Sequence, residues 1–517
     1  MFIKLDGTGA LAQQIYHALR RAILAGQLAP GARLPATRTL AHELSVSRNT
    51  VLLAYDQLLA EGYTVGQTGS GTYVASALPD VTLSGATVSA QGVFALPPDA
   101  DADAVRAREG MTLRLSAYGQ RVAQNTSLPT PSALPHCHPV RYDFRYGLPD
   151  VAAFPHETWR RLLARRARAV SGPALHYGPP EGYTPLREAI AAYLRRSRAV
   201  LCEPEQILVV NGSQQGLDLT ARVLLDAGDT VLIEEPHYQG ARQVFLAAGA
   251  RLVTVPVDAD GLVTTALPDV RAGARLVYVT PSHQFPTGAI MSLVRRLALL
   301  QWAETAEAYV LEDDYDSEFR YAGRPVEAVQ GLDRSGRAIY IGTFSKVLFP
   351  ALRLGYLVLP AALVPLFAAA KWLTDRHTST LEQAVLTDFI HEGHFEHHLR
   401  RSRTRNAARR AVLLAALDTY LGPRVEVSGA NAGVHLLVWL RDIAPHQLSA
   451  FIDCAAQAGV GLYPVTPYYL APPPRAGLLL GYAAMTDEEI RAGVQCLAAV
   501  LDHGAWQCAR ARQEDTR

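Results

Sequence analysis

The chain has 517 residues, of which 49% are hydrophobic and 19% are charged, and its formal net charge is +1 at pH 7. This length exceeds what a single hydrophobic core serves, so we expect at least two domains, and the composition excludes bulk disorder. The near-neutral charge excludes a basic field spread over the whole chain, so any charge that binds nucleic acid must be local.

The five cysteines are scattered and form no CxxC pair or Cys/His cluster. This usage predicts reduced thiols and no structural metal site. The first residues, MFIKLDGTGA, contain no apolar signal segment, and no run approaches the roughly 18 apolar residues of a membrane span. We therefore expect a cytoplasmic protein without metal or membrane partners.

Sequence texture divides the chain into three zones. In residues 1–76 apolar residues are frequent and recur periodically, whereas residues 77–110 are rich in Pro, Asp, Ser, Thr, Gly and Ala. The periodic pattern of apolar residues resumes at residue 111. The middle zone cannot bury enough apolar surface to fold alone, so it is predicted to be a flexible linker. The predicted domains are therefore 1–76 and 111–517.

The first helix is predicted over residues 11–25, because Leu11, Ile15, Leu19 and Ile23 recur on one helical face and Gly26 follows. A second short helix is predicted from Thr37 to Leu44.

A third helix is predicted to begin at Ser47, a good N-cap, and its core face would carry Val51, Leu52, Tyr55 and Leu58. The following QTGSGTYVAS predicts two strands joined by a tight turn. Two helices and a short turn, with hydroxyl, guanidinium and amide groups opening the last helix, are typical of a helix-turn-helix that reads DNA.

The segment LPATRTLAHELSVSRNTVLLAYDQLLAEGY, followed by GSGTYV, resembles the GntR family of winged-helix regulators. This resemblance implies a double-stranded DNA operator as a partner. It also implies DNA contacts from the helices and residues on the wing, as follows: Arg38, Ser47, Arg48 and Thr50 on the helices, and Ser70, Gly71 and Thr72 on the wing.

In the long C-terminal zone, short apolar runs alternate with helical patterns. The runs are QILVV (206–210), TVLIEE (230–235), RLVYVT (275–280), AYVLEDDY (308–315) and AIYIGT (338–343). This alternation predicts an α/β domain with a largely parallel sheet covered by helices. Beyond about residue 395, VHLLVWL and GLLLGYA suggest a smaller α+β lobe.

The segment GTFSKVLFPALRLGY (342–356) carries the strongest chemical signal of this zone. Lys346 can form a Schiff base with an aldehyde, while Thr343, Ser345 and Arg353 can hold a phosphate dianion. The NGSQQGLDL run supports this interpretation, because Ser213 would open a helix whose N-terminus favours phosphate.

Two further runs supply candidates for the ring of such a cofactor. LEDDYDSEF (311–319) ends a strand with carboxylates, of which Asp313 is predicted to keep a pyridine nitrogen protonated, with Tyr315 reaching the ring oxygen. In EEPHYQ (234–239), Tyr238 is a candidate to stack on the ring.

The order and spacing of these segments resemble fold-type I pyridoxal 5′-phosphate (PLP) enzymes, the aspartate aminotransferase class, over about 370 residues. TPSHQFPTG (280–288), EDDYDSEFRY and the N-terminal reader resemble the MocR/PdxR-like branch of the GntR family. The resemblance makes Lys346 the internal aldimine lysine and implies the following PLP contacts: Asp313, Tyr315, Tyr238, Arg353, Ser213, Gln214, Thr343 and Ser345. It further implies that Tyr177 reaches the phosphate of the neighbouring subunit in an obligatory homodimer, and that His283 lies near the ring edge.

Three departures from working aminotransferases bear on function. Leu478, Leu479 and Leu480 stand where an arginine that clamps the substrate carboxylate is expected, and leucine offers no donor. Gln239 and Gly240 follow the stacking tyrosine where GABA-sensing relatives have an arginine, although Arg242 is close. Phe285 stands where an asparagine often contacts the ring oxygen. We therefore expect a domain that binds PLP itself rather than one that turns over amino acids.

Three functions remain open from the sequence. The first is a transcription regulator that responds to PLP and controls vitamin B6 synthesis or salvage. The second is a regulator that senses an amino compound through external aldimine formation on bound PLP. The third is a working PLP-dependent aminotransferase with a DNA-binding appendage.

Overall fold

The computed structural model describes residues 9–67, 71–76, 114–125, 140–169, 175–321 and 327–504. The chain forms two compact units, Met1–Thr112 and Leu113–Arg517. The expected linker, residues 77–110, lies outside the described residues, so the boundaries at 76 and 111 stay predictions.

The N-terminal unit is a three-helix winged domain. Its elements are α1 (Leu11–Leu24), α2 (Thr37–Glu43), α3 (Arg48–Ala60), β1 (Thr64–Gln67) and β2 (Gly71–Val74), and the two strands pair antiparallel as the wing. The Ser47 side chain accepts a hydrogen bond from the backbone N–H of Thr50 at 3.1 Å, so the predicted N-cap is confirmed.

One predicted core residue of this unit, Leu52, is wrong, and Leu11 of the predicted helical face is exposed. Leu11 is 48% exposed because it is the first residue of α1, and the buried face of α1 starts at Gln14 and Ile15. Leu52 is 42% exposed because it lies about 100° around α3 from Val51, while the buried face of α3 continues at positions 54, 55 and 58. The other predicted core residues are buried: Ile15, Leu19, Ile23, Val51, Tyr55 and Leu58.

The C-terminal unit is built on an eight-stranded sheet with the order β4-β11-β10-β9-β8-β5-β6-β7. The five central strands β10, β9, β8, β5 and β6 are parallel, whereas β4, β11 and β7 join antiparallel. The predicted, largely parallel sheet is thus confirmed. The strands are β4 (Ile207–Val210), β5 (Thr230–Glu235), β6 (Arg251–Asp258), β7 (Gly261–Leu262), β8 (Ala274–Val279), β9 (Tyr309–Asp314), β10 (Ala338–Thr343) and β11 (Gly355–Val358).

A second, smaller lobe contains a four-stranded antiparallel sheet with the order β12-β13-β16-β15. A short parallel pair, β3 (Tyr142–Asp143) with β14 (Val460–Gly461), lies beside it. The remaining strands are β12 (Val425–Ser428), β13 (His435–Leu440), β15 (Tyr463–Pro464) and β16 (Ala476–Gly481).

Helices cover both sheets, and the apolar residues of strands and helices form the core between these layers. The helices are α4 (Ala117–Asn125), α5 (His156–Ala169), α6 (Thr184–Arg198), α7 (Ser213–Leu224), α8 (Gln239–Ala248), α9 (Leu293–Thr305), α10 (Val329–Leu332), α11 (Val364–Asp375), α12 (Thr380–His391), α13 (His394–Tyr420), α14 (Leu448–Gln457) and α15 (Asp487–His503). Within the described part of the chain, no helix is long and apolar enough to cross a bilayer.

Candidate cofactor pocket and DNA-reading surface

A cavity lies where the carboxyl ends of the parallel strands β5, β8, β9 and β10 meet. This edge of an open α/β sheet is where ligands bind, because strand ends and helix N-termini converge there. Nine of the ten predicted cofactor residues line this cavity: Ser213, Gln214, Tyr238, Asp313, Tyr315, Thr343, Ser345, Lys346 and Arg353.

Lys346 follows β10 and extends into the cavity, where its Nζ donates a hydrogen bond to the backbone oxygen of Gly147 at 2.9 Å. A Cβ on Gly147 would lie 2.9 Å from that Nζ, so glycine leaves the amine the room it needs. Burial lowers the pKa of Lys346 below its ordinary value. The amine is therefore prepared to act as a nucleophile towards an aldehyde.

Asp313 lies near the end of β9 and presents a carboxylate to the cavity. Its Oδ2 accepts a hydrogen bond from the Tyr278 hydroxyl at 2.8 Å, whereas its Oδ1 is buried without a partner. Burial raises the pKa of Asp313 to about 7. A buried acceptor without a donor is costly, and the N–H of a pyridinium ring would satisfy it.

The other end of the cavity has the groups that a phosphate requires. Helix α7 starts at Ser213, so its first backbone N–H groups are available to an anion. Arg353 donates from Nη2 to the backbone oxygen of Asn211 at 2.9 Å and so stays beside this helix end. Gly212 has a φ of 80°, and a Cβ there would lie 2.6 Å from Arg353 Nη2. Together with the Lys346 amine and the Asp313 carboxylate, the phosphate-binding groups of α7 and Arg353 fit PLP.

Aromatic side chains form the wall beside Tyr238. The Tyr238 and Phe285 rings meet edge to face with centroids 5.8 Å apart, and Phe285 also contacts Tyr146 and Tyr468 at 5.9 and 4.9 Å. Tyr238 opens α8 and lines the cavity, as its predicted stacking role requires.

Behind the cavity, Tyr315 belongs to a short chain of polar groups. Its hydroxyl lies 2.9 Å from Nδ1 of His283, and the same Nδ1 lies 3.1 Å from a carboxylate oxygen of Asp316. His283 and Asp316 are both 1% exposed, and His283 Nε2 has no hydrogen-bond partner. The predicted position of His283 near the ring edge therefore agrees with its contact with Tyr315, while its role stays open.

His435 at the start of β13 completes this buried group. Burial lowers the pKa of His435 to about 3, so its ring is neutral. His283, Asp316 and His435 place possible ligand atoms within 4.8 Å of one another. His283, Asp316 and His435 lie far apart in the chain, so the absence of a Cys/His cluster in the sequence does not bear on this group.

Tyr177, the tenth predicted cofactor residue, lies in a different cavity together with Tyr183 and His377. Its ring is 79% exposed and packs near the Arg376 guanidinium, 5.1 Å from the ring centroid. One chain by itself therefore does not bring Tyr177 to Lys346, and its expected contribution to a neighbouring subunit stays a prediction.

The predicted DNA-reading residues lie at the start of α3, on α2 and on the wing. Ser47 and Arg48 are exposed, and Arg48 Nε donates to the Thr37 hydroxyl at 3.4 Å. Arg38 is exposed on α2, and the Ser47 hydroxyl lies 2.7 Å from that of Thr50. Gly71 and Thr72 lie on wing strand β2, while Ser70 lies outside the described residues.

Sequence reasoning missed several residues that line the cavity: Tyr146, Gly147, Tyr278 and His435. Tyr278 lies on β8 within the run RLVYVT, where a tyrosine hydroxyl in an otherwise apolar strand was an available signal. Tyr146 and Gly147 lie 199 residues or more before Lys346 in the chain, and no local pattern links them to it.

Known protein families match both units. The family model for aminotransferase class I and II matches residues 149–497, and the model for bacterial regulatory proteins of the gntR family matches residues 11–74.

Relatives of similar length carry both parts. The chain is 41% identical over 496 residues to "Probable rhizopine catabolism regulatory protein MocR" of Rhizobium meliloti, covering 96% of this chain and 94% of the relative. It is 30% identical over 479 residues to the pyridoxine biosynthesis transcriptional regulator PdxR of Corynebacterium glutamicum, covering 92% and 93%.

Solved aminotransferases share the fold of the C-terminal unit. The α-aminoadipate aminotransferase LysN of Thermus thermophilus matches with a TM-score of 0.67 and 31% identity over 75% of this chain and 99% of that chain. A multiple substrate aminotransferase of Thermococcus profundus matches with a TM-score of 0.68 and 28% identity, covering 75% and 97%. The chain belongs to the aminotransferase class I and II family and, with its gntR-type domain, is a transcription regulator of the MocR/PdxR type.

Proposed function

We propose that this protein is a PLP-binding transcription regulator whose pocket at Lys346 controls how its winged domains bind operator DNA. The observation that carries the proposal is the pairing of two groups in one cavity, the Lys346 amine and the unpartnered Oδ1 of Asp313. PLP supplies an aldehyde for the lysine and a ring nitrogen for the carboxylate.

Each residue of the pocket has a defined task in this proposal. Lys346 holds the cofactor covalently and Asp313 keeps the ring nitrogen protonated. Arg353 and the N-terminus of α7 bind the phosphate, and Tyr238 covers one face of the ring. We further propose that two chains form a homodimer in which Tyr177 of each reaches the phosphate of the other, so that occupancy of the pocket and the arrangement of the readers are coupled.

Two signals are compatible with this pocket. PLP itself can be the signal, in which case the protein controls vitamin B6 synthesis or salvage, and the 30% identity to the pyridoxine biosynthesis regulator supports this. Alternatively, PLP stays bound and an amino compound is the signal. The higher identity to a relative named for a catabolic pathway favours this second candidate.

A working aminotransferase is the least supported of the three functions. Leu479 replaces a carboxylate-binding arginine by an apolar side chain, and it is fully buried against the aromatic wall. Steady-state transamination of common amino acids at an enzyme-like rate would contradict the proposal.

The test is DNA binding measured by fluorescence anisotropy on the region upstream of the protein's own gene, at a stated salt concentration because phosphate contacts make affinity salt-dependent. Wild type and Lys346→Ala are titrated with and without PLP. If PLP changes the affinity of wild type alone, PLP is the signal. If PLP forms a visible absorbance band with wild type but leaves DNA affinity unchanged, PLP is a resident cofactor, and amino compounds are titrated next as the signal. If wild type forms no such band, the proposal is wrong.

A further inference from the structure

Helix α11 carries a largely buried ion pair next to the start of helix α7. The Lys371 side chain is fully buried, and its Nζ donates to the two carboxylate oxygens of Asp375, one turn further along α11, at 2.8 and 3.0 Å. Burial lowers the pKa of Lys371, while the hydrogen bonds that Asp375 accepts act to raise it. Because burying a charge is costly unless it is paired, each residue keeps the other in place.

The same carboxylate accepts two hydrogen bonds from the segment that opens α7. Asn211 Nδ2 donates to Asp375 Oδ2 at 2.5 Å, and Gln215 Nε2 donates to the same oxygen at 2.7 Å. Gln215 Oε1 in turn accepts from the backbone N–H of Asn211 at 2.7 Å and from Lys371 Nζ at 3.3 Å. Asp375 thus holds both ends of the turn formed by residues 211–215.

This turn carries groups that are proposed to bind the phosphate. The first backbone N–H groups of α7 start at Ser213, and Arg353 donates from Nη2 to the backbone oxygen of Asn211 at 2.9 Å. The contact is close, because a Cβ on Gly212 would lie 2.6 Å from the same Nη2. A shift of Asn211 would therefore displace Arg353 and the start of α7 together.

From these contacts we infer that Lys371 and Asp375 are positioning residues for the phosphate end of the pocket, and that they make the pocket select a ring aldehyde with a phosphate over the same aldehyde without one. The inference rests on the proposed function, because the phosphate is that of PLP. Neither residue is among the described residues that line the cavity, so both act through the turn. Donors that are already in place bind an anion more tightly, because ordering them during binding costs affinity.

The experiment compares PLP with pyridoxal, which has the same aldehyde and ring but no phosphate. Each is titrated into the cofactor-free full-length protein, and the visible absorbance of the bound compound gives its dissociation constant. The test variant, Lys371→Met with Asp375→Leu, removes the carboxylate acceptor and leaves no member of the pair as an unpaired charge. We expect the dissociation constant of PLP to rise at least about ten-fold and that of pyridoxal to stay within about two-fold, since a hydrogen bond to a charged group contributes more than one factor of ten.

A conservative variant separates the acceptor from simple packing. Lys371→Met with Asp375→Asn also removes both charges, but it keeps a side-chain oxygen that can accept from the two amides at the turn. We expect this variant to recover most of the wild-type affinity for PLP. The matched control, Arg222→Met with Asp218→Leu, removes an ion pair of the same spacing from α7 and should leave both dissociation constants unchanged.

Asn211→Ala breaks the network from its other end and leaves the Lys371–Asp375 ion pair in place. It should also weaken the binding of PLP and spare that of pyridoxal, and it decides the question by itself if the double variants do not fold. Thermal unfolding establishes which variants are folded.

The possible outcomes separate the two proposals. The inference is overturned by equal weakening of PLP and pyridoxal, by unchanged PLP affinity in the folded test variant or in Asn211→Ala, or by equal weakening in the Asp375→Leu and Asp375→Asn double variants. Each of these results leaves PLP binding by wild type intact. Failure of wild type to form a visible band with PLP contradicts the proposed function instead.

Discussion

The hydroxyl of Tyr315 lies 2.9 Å from Nδ1 of His283, whose ring is in turn 3.1 Å from the Asp316 carboxylate. The carboxylate favours a hydrogen on Nδ1, and this one hydrogen is shared between the Asp316 carboxylate and the phenol oxygen, which both lie within hydrogen-bond distance of Nδ1. The phenol hydrogen is then free to point into the cavity. His283 and Asp316 thus act as positioning residues for the Tyr315 hydroxyl. Phe285, which stands where an asparagine often contacts the ring oxygen, offers no polar group for that contact.

The first prediction concerns this positioning. In the PLP-loaded protein, His283→Ala should raise the pH at which the bound cofactor changes its visible absorbance by about one unit, which corresponds to one hydrogen bond of about 1.4 kcal/mol. The reason is that a donor to the ring oxygen stabilises negative charge there. The measurement is a spectrophotometric pH titration.

Two further variants control this titration. Tyr315→Phe should shift it in the same direction, and His283→Gln, which keeps a side-chain donor, should shift it less. An unchanged titration in His283→Ala would show that the histidine only fills space.

The second prediction concerns the pH dependence of stability in the cofactor-free protein. Burial raises the pKa of Asp313 to about 7, so the folded state favours the protonated carboxyl more than the unfolded state does. Its contribution to stability is present below its unfolded pKa near 4 and is lost as pH rises through about 7. Asp313→Asn should therefore reduce the fall of the melting temperature between about pH 5 and pH 8.

The reduction in slope should be partial, because burial also raises the pKa of Glu234 to about 7 and that residue keeps its own contribution. Asp260→Asn, at an exposed aspartate, is the matched control and should leave the slope unchanged. An identical slope in wild type and Asp313→Asn would contradict the assignment.

The third prediction concerns Tyr177, which lies outside the Lys346 cavity of its own chain. If it serves the neighbouring subunit, Tyr177→Ala and Lys346→Ala should each impair PLP binding in homodimers. Mixed dimers of the two variants should recover one complete pocket, because one chain supplies Lys346 and the other supplies Tyr177. The measurement is PLP stoichiometry after the two chains are co-expressed with different affinity tags.

The result distinguishes the two possible arrangements of the dimer. Recovery of about half of the wild-type PLP content is expected if Tyr177 acts between chains. No recovery would mean that Tyr177 acts within its own chain or not at all.

The fourth prediction concerns the DNA-reading surface. Arg48 is exposed at the first position of α3, where a recognition helix meets bases and phosphates. Arg48→Ala should weaken operator binding by about 1–3 kcal/mol while PLP uptake stays intact. Anisotropy titrations at several salt concentrations and the visible absorbance of bound PLP measure the two effects.

Arg21→Ala removes the same charge from the exposed side of α1 and is the matched control. Equal weakening by both substitutions would mean that Arg48 contributes only general positive charge. Loss of PLP uptake in Arg48→Ala would contradict the separation of the two functions.

Many strands and helices of this protein can be predicted from neighbouring residues in the sequence. The strands β5 and β10 have the predicted bounds, and both are buried along almost their whole length, as their apolar runs indicate. The Ser47 N-cap could also be predicted from the sequence, because the Ser47 hydroxyl accepts a hydrogen bond from the backbone N–H of Thr50, only three positions away. Ser213 and Lys346 were found because the first opens a helix and the second follows a recognisable strand.

Other features depended on residues that are distant in the chain. The donor to Asp313 is Tyr278, 35 positions away, and Gly147, 199 positions from Lys346, accepts the hydrogen bond from its amine. Likewise, the sequence listed three consecutive leucines in β16, and only the pairing of β16 with β13 and β15 decided that Leu479 alone faces the aromatic wall. The sequence by itself determined which segments form strands, helices and anion-binding turns, because these depend on neighbouring residues. The tertiary structure decided which side chains share a cavity, because the residues that are buried and hydrogen-bonded together there come from segments far apart in the chain. No local sequence pattern links such segments.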